Sequence, residues 1–378
     1  MQKGSLRRLL IVFGTRPEAI KMAPIIVAAR NDPRFHVTVC VTAQHREMMD
    51  QVLRVFEIEP DEDLHVMQHA QSVTEVIGTI LQKLPAIISK HKPDVVLVQG
   101  DTATAFAGAL AAFAAKIPVG HVEAGLRTYN LDAPFPEEAL RQMITRVTTF
   151  HFSPTERNRD ALLREGVAPE TIQITGNTVI DALLHVKDRT AEAGAQALFA
   201  IWPQGLEILK NGKRVIVITG HRRESFGPPL QAMCGAISDL AGSYPDVEFV
   251  YPVHRNPNVD APVKEALGKI PNVHLIAPLD YVPFVYLLNR SYFIISDSGG
   301  VQEEAPSLKK PVLVTRSVTE REEAVHCGAV KLVGTDRNKI VDAATALLDD
   351  PAELSSMVVE ENPYGDGKAA IRILESLV

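Results

Sequence analysis

Apolar runs alternate with amphipathic stretches along most of this chain. Leu9 to Phe13 is a continuous apolar run, as a strand buried on both faces requires. Residues 18–30 follow a helical pattern, and 36–41 return to strand. Further on, the pattern predicts helices over 73–90, 102–115, 137–147 and 155–165, and strands at 95–98, 119–122 and 172–175. A second series opens with a strand at 214–218 and continues with strands at 248–251, 273–276, 293–296 and 311–314, with helices between them. Residues 187–213 are less regular, which sets a junction near them. Alternation of this kind predicts an α/β fold: two Rossmann-like, doubly wound domains with parallel sheets, facing each other across a cleft.

The expected domains are residues 1–185 and 186–362, with a C-terminal helix in 363–378 crossing back to the first. A length of 378 residues suits two domains, and 46% hydrophobic residues let each bury a core. The net charge of −7 argues against broad nucleic-acid or membrane binding, yet is compatible with a local positive pocket for a diphosphate. The three cysteines, Cys40, Cys234 and Cys327, form no C-x-x-C pair, which fits a reduced cytoplasmic protein without disulfides or structural zinc. Arg7 and Arg8 precede an apolar run of only five residues, whereas a secretory core needs about 7–15. The Ala-rich stretch at 105–115 is too short to span a bilayer.

In folds of this class ligands meet the residues that follow the strands. After the first strand come Gly14-Thr15-Arg16-Pro17 and, one turn on, Lys21; Pro17 is pre-set for a first helical turn, and the two cations either bring charge toward the cleft or are solvated residues of a plain βα turn. After residue 98 come Gln99-Gly100-Asp101-Thr102, where Asp101 suits a helix N-cap and would also face the cleft. After residue 122 comes Glu123, a residue type with no capping use there, which favours a functional role. Glu137 opens a helix behind Pro136, a place that the helix dipole alone favours for a carboxylate.

The second half offers an anion site. His221 stands beside Arg222 and Arg223 at a strand end, and Ser298-Gly299-Gly300 open a helix with exposed backbone N–H groups. Glu304, further along that helix, is placed to accept ribose hydroxyls, or is an ordinary surface glutamate. Three patterns resemble metal sites, but Asp61-Glu62-Asp63 follows Pro60 in a polar turn, His65 and His69 have i,i+4 spacing with no helix pattern, and His121-Val122-Glu123 has no P-C-x-x-C partner, so no metal is expected.

These motifs together closely resemble the non-hydrolysing UDP-N-acetylglucosamine 2-epimerases of bacteria. The resemblance runs in order through GTRPEAIKMAP (14–24), TAQHREMMDQVL (42–53), GHVEAGLRT (120–128), PEE (136–138), GNTVIDA (176–182), GHRRE (220–224), DSGGVQEEAP (297–306) and NPYGDGK (362–368). It implies a GT-B glycosyltransferase-like fold, a homodimer, no cofactor, and reversible conversion of UDP-N-acetylglucosamine to UDP-N-acetylmannosamine. By the same resemblance UDP is held by Arg16, Lys21, His221, Phe284, Ser298, Gly299, Gly300, Glu304 and Arg321, with Asp101, Glu123 and Glu137 as acid–base groups and His221 counted among the catalytic residues.

The implied chemistry is elimination of UDP to 2-acetamidoglucal followed by re-addition. Hydrolysing epimerase, glycosyltransferase and non-catalytic UDP-sugar sensor are the competing readings. The chain departs from the family pattern at Leu279, where members often carry Gln, at Glu322, where Pro is usual, and at Glu47, where Gln is usual in a segment that serves an activator site.

Overall fold

The computed structural model describes residues 6–42, 46–66, 71–220, 222 and 225–378, with the side chains of 46–48 also outside the description. The chain divides into two compact units, Met1–Ala182 with Tyr364–Val378, and Leu183–Pro363.

The first unit holds strands β1 (Arg7–Phe13), β2 (Phe35–Val41), β3 (Glu62–Asp63), β4 (Val95–Gln99), β5 (Val119–Val122), β6 (Phe150–Ser153) and β7 (Ile172–Ile174). They form one parallel sheet in the order β3-β2-β1-β4-β5-β6-β7. The second unit holds β8 (Val215–Thr219), β9 (Glu248–Pro252), β10 (Val273–Ile276), β11 (Phe293–Ser296), β12 (Val312–Val314) and β13 (Val330–Leu332), also parallel, in the order β10-β9-β8-β11-β12-β13. In each sheet the chain winds outward from its first strand and then returns to that strand's other side. Open parallel sheets bind ligands at this switch. Here the switches lie between β1 and β4 and between β8 and β11.

Both sheets are built from strands buried on two faces. Leu10 and Val12 of β1 pack with Val96 and Val98 of β4 against the helices Val73–His91 and Ala103–Ala114. The second helix is Ala-rich because it lies close on the sheet: a Cβ on its Gly108 would stand 3.0 Å from a methyl of Val98. In the second unit Ile216, Phe249 and Phe293 form the corresponding core with Met233 and Ile237 of the helix Pro228–Ser243.

The structure adds elements that the periodicity did not predict. β3, β6 and β13 are two to four residues long, too short to show a period. The stretch 187–213, expected to be irregular, holds the end of the helix Thr178–Arg189 and the helices Ala191–Ile201 and Gly205–Lys210, interrupted near Thr190 and Pro203. Gly194 lets the middle one approach the helix Tyr281–Arg290, since a Cβ there would lie 2.9 Å from that of Tyr286.

Candidate active site

At the first switch, the turn after β1 is drawn against the turn after β4. Glu18 lies in the first turn of the helix Arg16–Arg30 and is fully buried. Its carboxylate accepts from the backbone N–H of Gly14 (3.1 Å) and Thr15 (2.8 Å) and from the Thr102 hydroxyl (2.7 Å). Burial pushes this carboxyl above its ordinary range, against those hydrogen bonds. Gly14 is required by space: a Cβ would fall 2.0 Å from Thr42 Oγ1, which itself bonds Thr104 Oγ1 at 2.9 Å.

Thr102, and not Asp101, caps the helix Ala103–Ala114, accepting from Ala105 N–H at 3.0 Å. The expected N-cap role of Asp101 is thereby corrected. The threonine hydroxyl occupies the capping position, and Asp101 accepts from Arg141 Nη2 at 2.5 Å instead. Arg141 is buried and also donates to Glu138 Oε2 at 3.2 Å. Glu138 in turn accepts from Gln142 (2.7 Å) and from the backbone N–H of Thr128 and Tyr129. Burial would raise the Glu138 carboxyl, but these hydrogen bonds and the Arg141 charge outweigh it and hold it below its usual range. Glu137, one residue earlier, is half-buried in the same first turn.

Glu123 follows β5 with its backbone in the left-handed region, φ +67°. A non-glycine residue held there costs about 1 kcal/mol or more and persists only where its surroundings fix it. They do: both carboxylate oxygens face Lys21 Nζ, at 2.6 and 2.7 Å, while Gln99 and Asn177 donate from their amides. The side chains of Lys21 and Glu123 are only 14% and 8% exposed. The Glu123 carboxylate also lies beside Gly100, 3.7 Å from where a Cβ on that glycine would stand, so the Asp101 turn and Glu123 share one locality. His121, fully buried, donates from Nε2 to Gly100 O (2.7 Å), and desolvation pushes its imidazole down to about 3, so it is neutral.

At the second switch, Thr219 and Ser296 join β8 and β11 through their hydroxyls at 2.6 Å, and Ser296 Oγ accepts from Ser298 N–H at 2.9 Å. Buried Asp297 accepts from Arg222 N–H (3.0 Å) and Ser225 Oγ (2.9 Å), fixing the loop after β8. Gly299 opens the helix Gly299–Glu304 between two guanidinium groups: a Cβ on it would stand 3.0 Å from Arg321 Cζ and 3.3 Å from Arg222 Nη2.

Fully buried Gln302 ties this helix to the loop before Arg321, donating to Ser298 O (3.0 Å) and accepting from Thr319 Oγ1 (2.7 Å). Arg321 Nε donates to Glu303 at 3.0 Å, and its Nη1 lies 3.4 Å from Glu320. Burial raises the Glu320 carboxyl, but the Arg316 hydrogen bond and the charges of Arg321 and Arg316 outweigh it and hold the group at about 2. A glycine-lined gap between paired cations suits a phosphate, which would replace carboxylates as the guanidinium partner.

Of the expected residues, Asp101, Glu123 and Lys21 meet at the first switch, with Arg16 half-buried at the head of its helix. Lys21, grouped by resemblance with the UDP contacts, is engaged by Glu123. Ser298, Gly299, Gly300 and Arg321 meet at the second. Glu304 is not a surface glutamate: it is buried and accepts from Tyr281 OH at 3.0 Å. Phe284 lies half-buried in the first turn of Tyr281–Arg290, where its N–H donates to Asp280 O. Leu279 is buried in the core, consistent with an apolar side chain there. Glu322 begins the helix Glu322–His326, a first-turn position that accepts Pro and Glu alike. His221 and the Glu47 side chain lie outside the described residues.

Asp61, Glu62 and Asp63 are structural: Asp61 accepts from Val39 N–H, Glu62 from Lys90, and Asp63 from His65 N–H. Gln99, Asn177, Arg141 and Gln302 were not singled out. Only Gln99 and Asn177 left a signal, as polar residues at or just after a strand end.

A family model described as UDP-N-acetylglucosamine 2-epimerase matches residues 27–378. The UDP-N-acetylglucosamine 2-epimerase of Escherichia coli O157:H7 is 55% identical over 372 residues, covering 98% of each chain. The crystal structure of UDP-GlcNAc 2-epimerase from Neisseria meningitidis bound to UDP-GlcNAc superposes with a TM-score of 0.91 at 48% identity, covering 98% of this chain and 99% of that one. The glycotransferase of kitacinnamycin, 15% identical with a TM-score of 0.65 over 98% of each chain, shares the fold alone and marks it as GT-B glycosyltransferase-like. The chain therefore belongs to the UDP-N-acetylglucosamine 2-epimerase family.

Proposed function

We propose that this enzyme interconverts UDP-N-acetylglucosamine and UDP-N-acetylmannosamine by eliminating UDP and adding it back. The observation that carries this reading is the gathering of Asp101 and Glu123 at one switch, the first against buried Arg141 and the second against largely enclosed Lys21. Inversion at C2 without a redox step requires the C2–H bond to break. That hydrogen is not acidic in the intact sugar, but it becomes so as the C1–O bond to UDP breaks and positive charge develops next to it. One carboxylate takes the proton, the C–H electrons form the C1–C2 double bond, and UDP departs with the C1–O pair. Re-addition delivers a proton to the opposite face of C2 and the UDP oxygen to C1. Two acid–base groups are needed, one for each face. Asp101, Glu123 and Glu137 are the candidates.

The departing diphosphate needs positive charge. We assign that part to Arg321 and Arg222 around Gly299, with Arg16, His221, Ser298 and Gly300, and the ribose to Glu304 near Phe284. Glu303 and Glu320 hold Arg321 ready until phosphate takes their place. We further propose a homodimer acting in the cytoplasm. Phe113 and Met143, on the neighbouring helices Ala103–Ala114 and Glu137–Val147, expose 56% and 44% of their surface, which supports a protein-covered face. The buried, unpaired thiols of Cys40 and Cys234 suit a reducing compartment.

The test is the reaction in heavy water. Both products should carry deuterium at C2, and traces of UDP and 2-acetamidoglucal should accumulate. Epimer that retains the original hydrogen at C2 would overturn the scheme.

A further inference from the structure

Asn177 stands where the chain is about to leave the first unit, and it is buried. Its Nδ2 donates to Glu123 Oε1 at 3.1 Å, and its Oδ1 accepts from Val179 N–H at 3.1 Å, at the head of the helix Thr178–Arg189. Its own N–H donates to Tyr364 O at 2.7 Å, where the chain re-enters the same unit. Gly176 closes the junction: a Cβ there would stand 3.3 Å from both Gly365 Cα and Tyr364 O. One residue thus touches the Glu123 carboxylate and the re-entering segment.

The side-chain chemistry is specific. A carboxamide donates to a carboxylate and accepts from an N–H at once. An aspartate would keep the Val179 bond but set a second negative charge against Glu123, making the ionised Glu123 harder to hold. An alanine would supply neither bond.

We infer that Asn177 is a positioning residue for Glu123: beside the Lys21 charge and the Gln99 amide, it fixes the direction of that carboxylate and adds support to its ionised form from the junction where the first unit's chain departs and returns. The inference rests on the reading of Glu123 as an acid–base group.

The test uses the full-length enzyme with UDP-N-acetylglucosamine. Asn177→Asp should move the acidic limb of the kcat profile upward by about one pH unit or more and cut kcat at pH 7 by at least ~10-fold, with KM within about threefold. Asn177→Ala should lower kcat with a smaller shift in the same direction. In a Glu123→Gln background, Asn177→Ala should cost no more than about twofold further, because its effect runs through the missing carboxylate. A wild-type pH profile and kcat in Asn177→Ala, or a fully additive loss in the double variant, would overturn the inference, and neither depends on the Asp variant folding. Wild-type turnover by Glu123→Gln alone would instead remove the role of Glu123, a separate and recognisable failure.

Discussion

Glu123→Gln keeps the size of the side chain and removes the charge that Lys21 faces at 2.6 Å. Loss of this ion pair should lower the stability of the variant. Its kcat should fall by about 10²-fold or more while UDP affinity changes less, as steady-state kinetics and UDP titration will show. Turnover at the wild-type rate would take Glu123 out of the chemistry. The position of this residue was legible because a glutamate directly after a strand has no capping use. Its partners were not, because Lys21, Gln99 and Asn177 come from three other elements that only the sheet order brings together. Asp101 shows the limit of local rules: its spacing fits a cap, but Thr102 beside it took that position.

At the scale of elements, the turn after β1 is fixed by space as much as by hydrogen bonds. Gly14→Ala would press a methyl into Thr42 and Thr104, and the Thr42–Thr104 hydroxyl pair would have to part. A destabilisation of about 1–3 kcal/mol is expected, with the urea midpoint lowered and the slope unchanged. A variant as stable as the parent would mean that the turn can shift freely. Strands buried on both faces, such as β1, β4, β8 and β11, were readable as apolar runs. β3 and β13 were not, because two or three edge residues gain their strand character from a neighbour. The helices at 191–210 were hidden by Gly194 and Gly205, which weaken the helical pattern, and by the break at Pro203.

For the whole molecule, alternation of strand and helix was enough to predict two parallel sheets. The side-chain ties that close the first unit are not periodic and were invisible. Asp181 is one of them: its carboxylate accepts from Ala369 and Ala370 N–H, at 3.2 and 2.9 Å, at the head of the helix Ala369–Glu375. Burial raises this carboxyl to about 6 from an ordinary 3.8. A carboxyl raised on folding contributes stability that is fully present below 3.8 and is lost as pH climbs to about 6, here about 3 kcal/mol in all. Asp181→Asn removes that titration, so the wild type should lose stability relative to the variant between pH 4 and 6. Parallel stability–pH curves from urea denaturation would refute this.

The bond between Asn177 N–H and Tyr364 O has a genetic reading too. Residues 183–363 are one uninterrupted stretch of chain that leaves the first unit within the helix Thr178–Arg189 and returns to it at Tyr364. A gene that joins residue 182 to residue 364 through a short Gly-Ser bridge would encode the first unit alone, with Lys21, Gln99, Glu123 and Asn177 all retained in it. That stretch, expressed separately, would carry the Gly299 turn with Arg222 and Arg321. The proposed acid–base groups and the proposed phosphate site would then lie on two polypeptides that can be made and titrated one at a time.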